Sequence, residues 1–244
     1  EIEEAKLAIK GLALPVVERK TRRLVPSSKG PLVDLRSTMR ESLKTGGAVV
    51  ELKYRKLQKR PPPLVVICDV SGSMTMYSRL LLHFVHVLAN GMERVHSFVF
   101  GTRLTNITKC LLERDADVAL ESVQEVVQDW SGGTRIGPCL RNFNHHWSRR
   151  VLGQGAVIIL ISDGLDRDDG LSLGQEMERM HKSCRQLIWL NPLLRYSEFE
   201  PKALGVKAML PHVDEFRPVH NLASMAALAE ALVARREPKH RDGG

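Results

Sequence analysis

The chain has 244 residues, 43% hydrophobic and 26% charged, which is typical of a globular protein long enough to bury a full core. No apolar run approaches the ~20 residues needed to cross a bilayer, and no signal-peptide pattern opens the chain, so we expect a cytoplasmic protein without a membrane span. The four cysteines form no CxxC pair, which favours buried free thiols over disulfides or a zinc site.

Residues 1–63 carry the whole excess of positive charge. This basic N-terminal segment holds 15 Lys and Arg against 7 Asp and Glu, a net charge of +8, whereas residues 64–244 hold 21 of each. The chain opens at Glu1 with what reads as the end of a helix. We therefore interpret the segment as the end of a larger N-terminal region and the chain as a fragment of a longer protein.

The role of the basic segment stays open at this point. Its run Lys53–Arg60 could bind an acidic protein surface, nucleic acid or a membrane face, or it is a solvated strand or arm. We rank nucleic acid below an acidic protein, because Tyr54 is the only aromatic residue of the segment and no nucleic-acid-binding motif accompanies it. Pro61–Pro63 then provides a stiff, extended spacer.

After the spacer, apolar strand-like runs alternate with helix-like segments, which predicts βαβ units and a mainly parallel sheet. Strands are predicted at Leu64–Cys68, Val95–Phe100, Ala156–Ser162 and Gln186–Leu190, with a weaker strand at Ala208–Phe216 and an antiparallel edge strand at Leu104–Thr108. Helices are predicted near Ser78–Met92, Asp115–Gln128, Thr134–Arg149, Leu171–Ser183 and Asn221–Ala234. The first helix is apolar on nearly all sides, so we expect it to be buried against the sheet.

One carboxylate and two hydroxyls follow the first predicted strand directly, at Asp69, Ser71 and Ser73. Hard divalent cations such as Mg²⁺ prefer oxygen ligands in near-octahedral geometry. The other interpretation is a helix N-cap, but a cap needs only one of these residues. The run therefore predicts part of a metal site, which requires more oxygens from elsewhere in the chain.

Two further loops offer those oxygens. Asp163 follows the strand Ala156–Ser162, and Thr134 follows a Gly-Gly turn. In an open doubly wound sheet, ligands bind beyond the carboxyl ends of the strands where the strand order reverses, so Asp69 and Asp163 are expected to face one crevice. Taken alone, Thr134 would more often cap the following helix. It is assigned to the metal site because the other oxygen ligands are also present.

Together, Asp69-x-Ser71-x-Ser73, Thr134 and Asp163-Gly resemble the metal-ion-dependent adhesion site (MIDAS) of the von Willebrand factor A (VWA) domain. The resemblance implies a doubly wound, Rossmann-like α/β fold with a mostly parallel six-stranded sheet and helices on both faces. It implies that Ser71, Ser73 and Thr134 coordinate Mg²⁺ directly or nearly so, while Asp69 and Asp163 act largely through bound water. It also implies that an acidic side chain of a partner protein completes the site.

Finer signals resemble the CoxE-like group of bacterial VWA proteins. They lie in the upstream stretch 30–47, in Gly132–Gly137 and in Asp163–Asp168. Members of this group resemble partners of MoxR-type AAA+ ATPases and act as adaptors in the maturation or activation of metalloenzymes. The resemblance therefore implies a MoxR-type ATPase and a client metalloenzyme as partners.

An enzymatic alternative is a haloacid-dehalogenase-like phosphatase that uses Asp69 as its nucleophile. Such enzymes place a second Asp two residues later, where this chain has Ser71, and neither a GxxxxGK[ST] phosphate loop nor a GxSxG elbow occurs. We predict instead a non-catalytic, Mg²⁺-dependent interaction module, with Mn²⁺ or Ca²⁺ as the other possible ions. Its VWA domain spans 64–236 and is followed by a tail, 237–244.

Polar residues near the predicted site have two interpretations each. Asp166, Asp168 and Asp169 are a solvated loop or a helix cap, or else they tune the charge of the metal site. Arg135, beside Thr134, is an ordinary surface residue or guides an acidic partner to the metal.

Two methionines before the first predicted helix and two histidines within it also have two interpretations. Met74 and Met76 either fill gaps at the corner between strand and helix or form an apolar rim beside the metal site. His83 and His86 lie three residues apart, a spacing that can bind zinc, but without a third ligand we interpret them as partly buried structural residues.

Overall fold

The structure, a computed structural model, describes residues 19–44, 46, 51–128, 130, 132–166, 171–195 and 203–219. The chain divides into two compact units. The small unit is Val16–Pro61, and the large unit contains Pro62–Gly244. Each unit is described by itself below.

The small unit is an antiparallel sheet with one helix. Its elements are β1 (Arg19–Ser27), β2 (Leu32–Val33), α1 (Leu35–Lys44) and β3 (Tyr54–Arg60), and the strand order is β1-β3-β2. Asp34 caps α1, because its carboxylate accepts hydrogen bonds from the backbone N–H and the hydroxyl of Ser37. The Arg55 side chain donates to the same carboxylate. The strand interpretation of Lys53–Arg60 is confirmed, whereas the sequence patterns had not predicted a sheet here.

The large unit is built on a six-stranded sheet of order β6-β5-β4-β7-β8-β9. Its strands are β4 (Leu64–Asp69), β5 (Val95–Phe100), β6 (Leu104–Asn106), β7 (Val157–Ile161), β8 (Gln186–Asn191) and β9 (Glu215–Pro218). All neighbouring pairs are parallel except β5 with β6, which is the predicted antiparallel edge. The mostly parallel, six-stranded α/β fold is therefore confirmed.

The helices of the large unit are α2 (Thr75–Gly91), α3 (Ala116–Val126), α4 (Ile136–His146), α5 (Ser148–Val151), α6 (Leu171–Ser183) and α7 (Leu204–Met209). Three of them, α2, α3 and α6, lie close to predicted ones, whereas α4 and α5 divide one predicted helix and α7 was not predicted as a helix. The helix predicted at Thr134–Arg149 begins two residues later and ends at His146, and a short helix follows Trp147. The helix predicted at Asn221–Ala234 lies outside the described residues.

The strand predicted at Ala208–Phe216 is wrong over most of its length. Ala208 and Met209 belong to helix α7, and only the last two residues fall in β9. The buried residues of α7 include Val206 and Met209, three positions apart, which is a helical spacing. A short apolar run cannot be assigned to helix or strand by its pattern alone, and here packing decided for the helix.

Every residue of β4 is buried, which shows that both faces of the sheet are covered at this strand. Val65 and Ile67, which alternate along β4, belong to a core cluster that includes residues of α4, α6 and α7. Helix α2 packs against β4 and β5 and is buried along most of its length, as predicted. None of the helices in the described part of the chain has the length and apolar character needed to span a bilayer.

Candidate metal centre

Asp69 is the last residue of β4, and its side chain is buried. One carboxylate oxygen, Oδ1, accepts a hydrogen bond from the backbone N–H of Ser71 at 2.9 Å. The other, Oδ2, accepts from the hydroxyl of Ser162 at 3.0 Å. Because Ser162 directly follows β7, which pairs with β4, two adjacent strand ends fix the orientation of this carboxylate.

The electrostatics of the site are those of a buried carboxylate pair. Burial raises the pKa of Asp69 to about 6, against hydrogen bonds from Ser71 that lower it, and the nearby charge of Asp163 raises it further. No ion pair joins either carboxylate to a Lys or Arg within the described ranges. Two buried carboxylates without a protein cation are unfavourable, and a bound metal cation would relieve this.

The two serine hydroxyls after β4 lie close together. Ser71 Oγ is 3.3 Å from Ser73 Oγ, and Ser71 is buried whereas Ser73 is exposed. The backbone N–H of Gly72, between them, donates to the carbonyl of Gly132 at 3.1 Å. This bond ties the first loop to the loop that carries Thr134.

Thr134 is buried at the start of α4 but does not act as its cap. The carboxylate of Asp166 accepts hydrogen bonds from the backbone N–H groups of Ile136 (3.1 Å) and Gly137 (3.3 Å), the first residues of the helix. Asp166 thus accepts from the N-terminus of a helix 30 residues earlier in the chain, instead of capping a helix of its own segment. Its capping also ties the loop after β7 to the loop that carries Thr134. Asp168 and Asp169 lie outside the described residues.

Asp163 is buried at the end of β7 and is fixed by its own loop and by β8. Its Oδ1 accepts from the backbone N–H of Leu165 at 2.9 Å, and its carbonyl oxygen accepts from the side chain of Asn191 at 3.1 Å. The remaining carboxylate oxygen, Oδ2, has no hydrogen bond to another described residue.

Several residues that support Asp163 were missed by the sequence analysis. Trp189 donates from its indole N–H to the carbonyl of Ser162 at 2.9 Å, and Ser162 Oγ accepts from the backbone N–H of Gly164. Gly164 has a φ of 78°, and a Cβ there would lie 2.8 Å from the Trp189 ring. The sequence carries part of this signal, since the polar Asn191 follows the apolar run Leu187–Leu190 and a glycine follows Asp163.

The structure therefore places all five predicted site residues at one edge of the sheet. Their donor set is two carboxylates and three hydroxyls, which are the hard oxygen ligands that Mg²⁺ prefers. Clusters of three or more His, Cys, Asp or Glu side chains are absent from the described residues, so a thiolate or imidazole site is not formed there. The residues present fit a hard divalent cation.

The other residues singled out from the sequence have structural positions. His83 and His86 are buried, and the His86 ring lies 2.7 Å from the carbonyl oxygen of Glu113. Met74 is fully buried and fills the corner between strand and helix, whereas Met76 is 83% exposed. Arg135 is exposed next to Thr134. All four cysteines are free thiols.

Comparison with known proteins gives a family and a fold. Residues 5–225 match the family described as "VWA domain containing CoxE-like protein". No curated protein matches the chain.

Solved structures are similar to the chain at low sequence identity. The pilus adhesin SpaC from Lactobacillus rhamnosus GG, in an open conformation, has a TM-score of 0.50 and 13% identity, covering 73% of this chain and 30% of its own. BatB from Bacteroides thetaiotaomicron has a TM-score of 0.48 and 15% identity, covering 72% and 98%. The mussel byssus protein PTMP1, solved with a zinc-occupied MIDAS motif, has a TM-score of 0.48 and 12% identity, covering 70% and 47%.

Proposed function

The chain belongs to the VWA-domain-containing CoxE-like family, and on that premise we propose that it is a Mg²⁺-dependent protein-interaction module. Asp69, Ser71, Ser73, Thr134 and Asp163 would hold the ion. The observation that carries the proposal is the convergence of these residues from three loops on one edge of the sheet, with two buried carboxylates.

The charge of the proposed site permits an acidic ligand. The two aspartates together neutralise the two positive charges of a bound Mg²⁺, so the loaded site does not repel a further carboxylate as an all-acidic site would. Arg135 is exposed beside Thr134 and would attract the same ligand. An Asp or Glu side chain of a partner protein therefore suits the open coordination position.

The arrangement supports binding better than catalysis. Both oxygens of Asp69 accept hydrogen bonds, and the residue two positions later is Ser71 rather than a second Asp. A phosphatase of the haloacid-dehalogenase type would need an acid at position 71. We accordingly propose a non-catalytic role.

Family membership leads to the proposed partners. The proposed partners are a MoxR-type AAA+ ATPase and a client metalloenzyme. The chain would bind them in the cytoplasm as an adaptor of the CoxE-like type. Mg²⁺ is proposed over Mn²⁺ and Ca²⁺ because the site has few carboxylates and several hydroxyls. The basic small unit, most of whose Lys and Arg side chains are exposed, would steer acidic surfaces towards the chain.

The first test measures metal binding directly. Calorimetric titration with MgCl₂ is expected to show one site in the wild-type chain and none in Asp69→Ala or in Ser71→Ala with Ser73→Ala. At a Mg²⁺ concentration of ten times Kd, the wild-type chain should gain about 1.4 kcal/mol in stability. Asp117→Ala, which removes an exposed carboxylate of α3, is the matched control and should bind like wild type.

The second test measures partner binding in a pull-down with a MoxR-type ATPase, with and without EDTA. Binding should disappear with EDTA and with both site variants while circular dichroism shows an intact fold. Metal binding lost without any effect on partner binding would contradict the interaction role. Unchanged metal binding in both variants would contradict the site itself.

A further inference from the structure

Helix α4 begins directly after the loop that carries Thr134, but its cap comes from a distant loop. The residue at its N-cap position, Arg135, makes no capping hydrogen bond from its side chain. The cap is the carboxylate of Asp166, whose Oδ1 accepts from the backbone N–H of Ile136 at 3.1 Å and whose Oδ2 accepts from that of Gly137 at 3.3 Å. Most helices are capped by a residue at their own start, so this helix depends on another loop for a bond that is usually local.

The Thr134 side chain depends on the backbone around it for its position. The residue is 6% exposed, and its hydroxyl makes no hydrogen bond to another residue that the structure describes. Its neighbours are tied on both sides, because Gly132 accepts from the backbone of Gly72 at 3.1 Å and Arg135 donates to the carbonyl of Gly101 at 3.0 Å. The two capping bonds follow at the next two residues. These backbone bonds therefore set the place of the hydroxyl.

The two capping bonds also connect two of the proposed ligands. Asp166 lies three residues after Asp163, and the helix that it caps begins two residues after Thr134. The loop that carries Asp166 is itself fixed. The backbone N–H of Leu165 donates to Asp163 Oδ1 at 2.9 Å, and a Cβ at Gly205 of α7 would lie 3.4 Å from Asp166. The cap thus joins two loops of the site through a backbone that is held on both sides.

We propose that Asp166 is a positioning residue of the metal site, which fixes Thr134 relative to Asp163 so that both can hold one ion. This inference rests on the proposed function. Both oxygens of Asp166 accept from the helix, which assigns it to positioning rather than to coordination. Without the cap, the first N–H groups of α4 lose their partner and the first turn is held less firmly. The ion would then have to order the Thr134 loop on binding, which lowers its affinity.

Helix α3 provides a matched control. Its cap, Asp115, also accepts hydrogen bonds from two backbone N–H groups, those of Asp117 at 2.9 Å and Val118 at 3.3 Å. None of the five proposed ligands lies in α3 or in its cap. Removal of either cap should destabilise a helix to a similar extent, but only removal of the Asp166 cap should weaken metal binding.

The first experiment is calorimetric titration of the full chain with MgCl₂, for wild type, Asp166→Ala and Asp115→Ala. Asp166→Ala is expected to bind Mg²⁺ about tenfold more weakly than wild type, as is typical for residues that orient metal ligands. Asp115→Ala should bind within about twofold of wild type, since its cap does not reach the site. Melting in EDTA, followed by circular dichroism, should show both variants folded, with melting temperatures lowered by a similar amount of about 2–4 °C.

The second experiment tests whether Asp166 acts through Thr134. Thr134→Val removes the hydroxyl and should itself weaken Mg²⁺ binding. If Asp166 serves to place that hydroxyl, adding Asp166→Ala to Thr134→Val should weaken binding by no more than about twofold further. Independent contributions of the two residues would instead multiply. If Asp166→Ala does not fold, Asp166→Asn, which keeps one acceptor oxygen, takes its place in both experiments and should also bind Mg²⁺ more weakly than wild type.

The outcomes separate this inference from the proposed function. Wild-type binding of Mg²⁺ that is unchanged in the Asp166 variant, or weakened equally in Asp115→Ala, would overturn the positioning role and leave the metal site standing. Multiplied effects in the double variant would overturn it as well, because Asp166 would then act on the ion independently of Thr134. Failure of the wild-type chain to bind Mg²⁺ would overturn the proposed function and the positioning role with it.

Discussion

Strand β4 of the large unit buries all six of its residues, whereas helix α1 of the small unit exposes each of its large apolar side chains. Leu35, Met39 and Leu43 lie four positions apart on one side of α1, and Leu43 is 80% exposed. The buried residue of this helix is the polar Thr38. The small unit thus packs its helix through polar groups, and the large unit packs through apolar ones.

The contrast shows that each unit is stabilised internally by a different kind of interaction. In the small unit the Thr38 hydroxyl donates to the Asp34 carbonyl at 2.9 Å and accepts from the Lys53 backbone N–H at 3.0 Å. Such hydrogen bonds contribute about 1 kcal/mol each. In the large unit, burial of whole side chains such as Trp189 contributes several times more. The same type of substitution should therefore have different effects in the two units.

The largest effect is expected for Trp189→Ala in the large unit. The indole is fully buried, its ring centroid lies 4.5 Å from that of Phe216, and its N–H donates to the Ser162 carbonyl. Its loss should therefore lower the free energy of unfolding by about 3–5 kcal/mol. Urea unfolding followed by circular dichroism measures this. Trp189→Phe, which keeps most of the ring and loses the N–H, should cost less. Equal losses in both variants would show that packing of the ring contributes little.

Gly164→Ala should have the next largest effect. The residue has a φ of 78°, and the added Cβ would collide with Trp189 and Val206, so we expect a loss of about 2 kcal/mol together with weaker Mg²⁺ binding. Gly153→Ala is the control, because a Cβ there meets no neighbour within 4 Å. A Gly164→Ala chain as stable as the control would contradict the strain at this turn.

Asp34→Asn should have a smaller effect, confined to the small unit. The Ser37 hydroxyl holds the pKa of Asp34 below its ordinary value of 3.8, with further contributions from the Ser37 backbone and Arg55. A lowered pKa stabilises the fold above pH 3.8, and this contribution is lost as the pH falls through the folded-state pKa. Hydrogen exchange of the β3 amides should be faster in the variant at neutral pH.

The pH dependence of that difference is the check on its cause. The gap in β3 exchange protection between wild type and Asp34→Asn should shrink as the pH falls below 3.8 and Asp34 becomes protonated. Glu41→Gln, which alters an exposed carboxylate of the same helix, is the control and should change little. A gap that persists in acid would point to lost packing rather than lost charge.

The smallest effect is expected for Leu43→Ser in the small unit. Because the side chain is 80% exposed, the free energy of unfolding should change by less than about 0.5 kcal/mol. Leu81→Ser, at a fully buried position of α2, should cost more than about 2 kcal/mol. A large loss from Leu43→Ser would remove the contrast between the units, since it would show that this face of α1 is covered.

Much of the large unit could be predicted from local patterns. Strands such as Val95–Phe100 and the helix Leu171–Ser183 have the predicted bounds, because continuous apolar runs and helical periodicity mark fully covered elements. The small unit could not be predicted in the same way. Its strand β3 contains few apolar residues, and its helix exposes leucine and methionine side chains and buries a threonine. The sequence of the small unit is therefore typical of a solvated, charged segment.

The five proposed site residues could be predicted from the sequence because their types and spacing along three loops form a known pattern, and a hard divalent cation needs oxygen ligands whatever the surrounding fold. Only the tertiary structure decided what holds them in place. The hydrogen bonds Ser162 to Asp69, Asn191 to Asp163 and Gly72 to Gly132 join residues up to 93 positions apart, and local sequence carries no signal for such pairs.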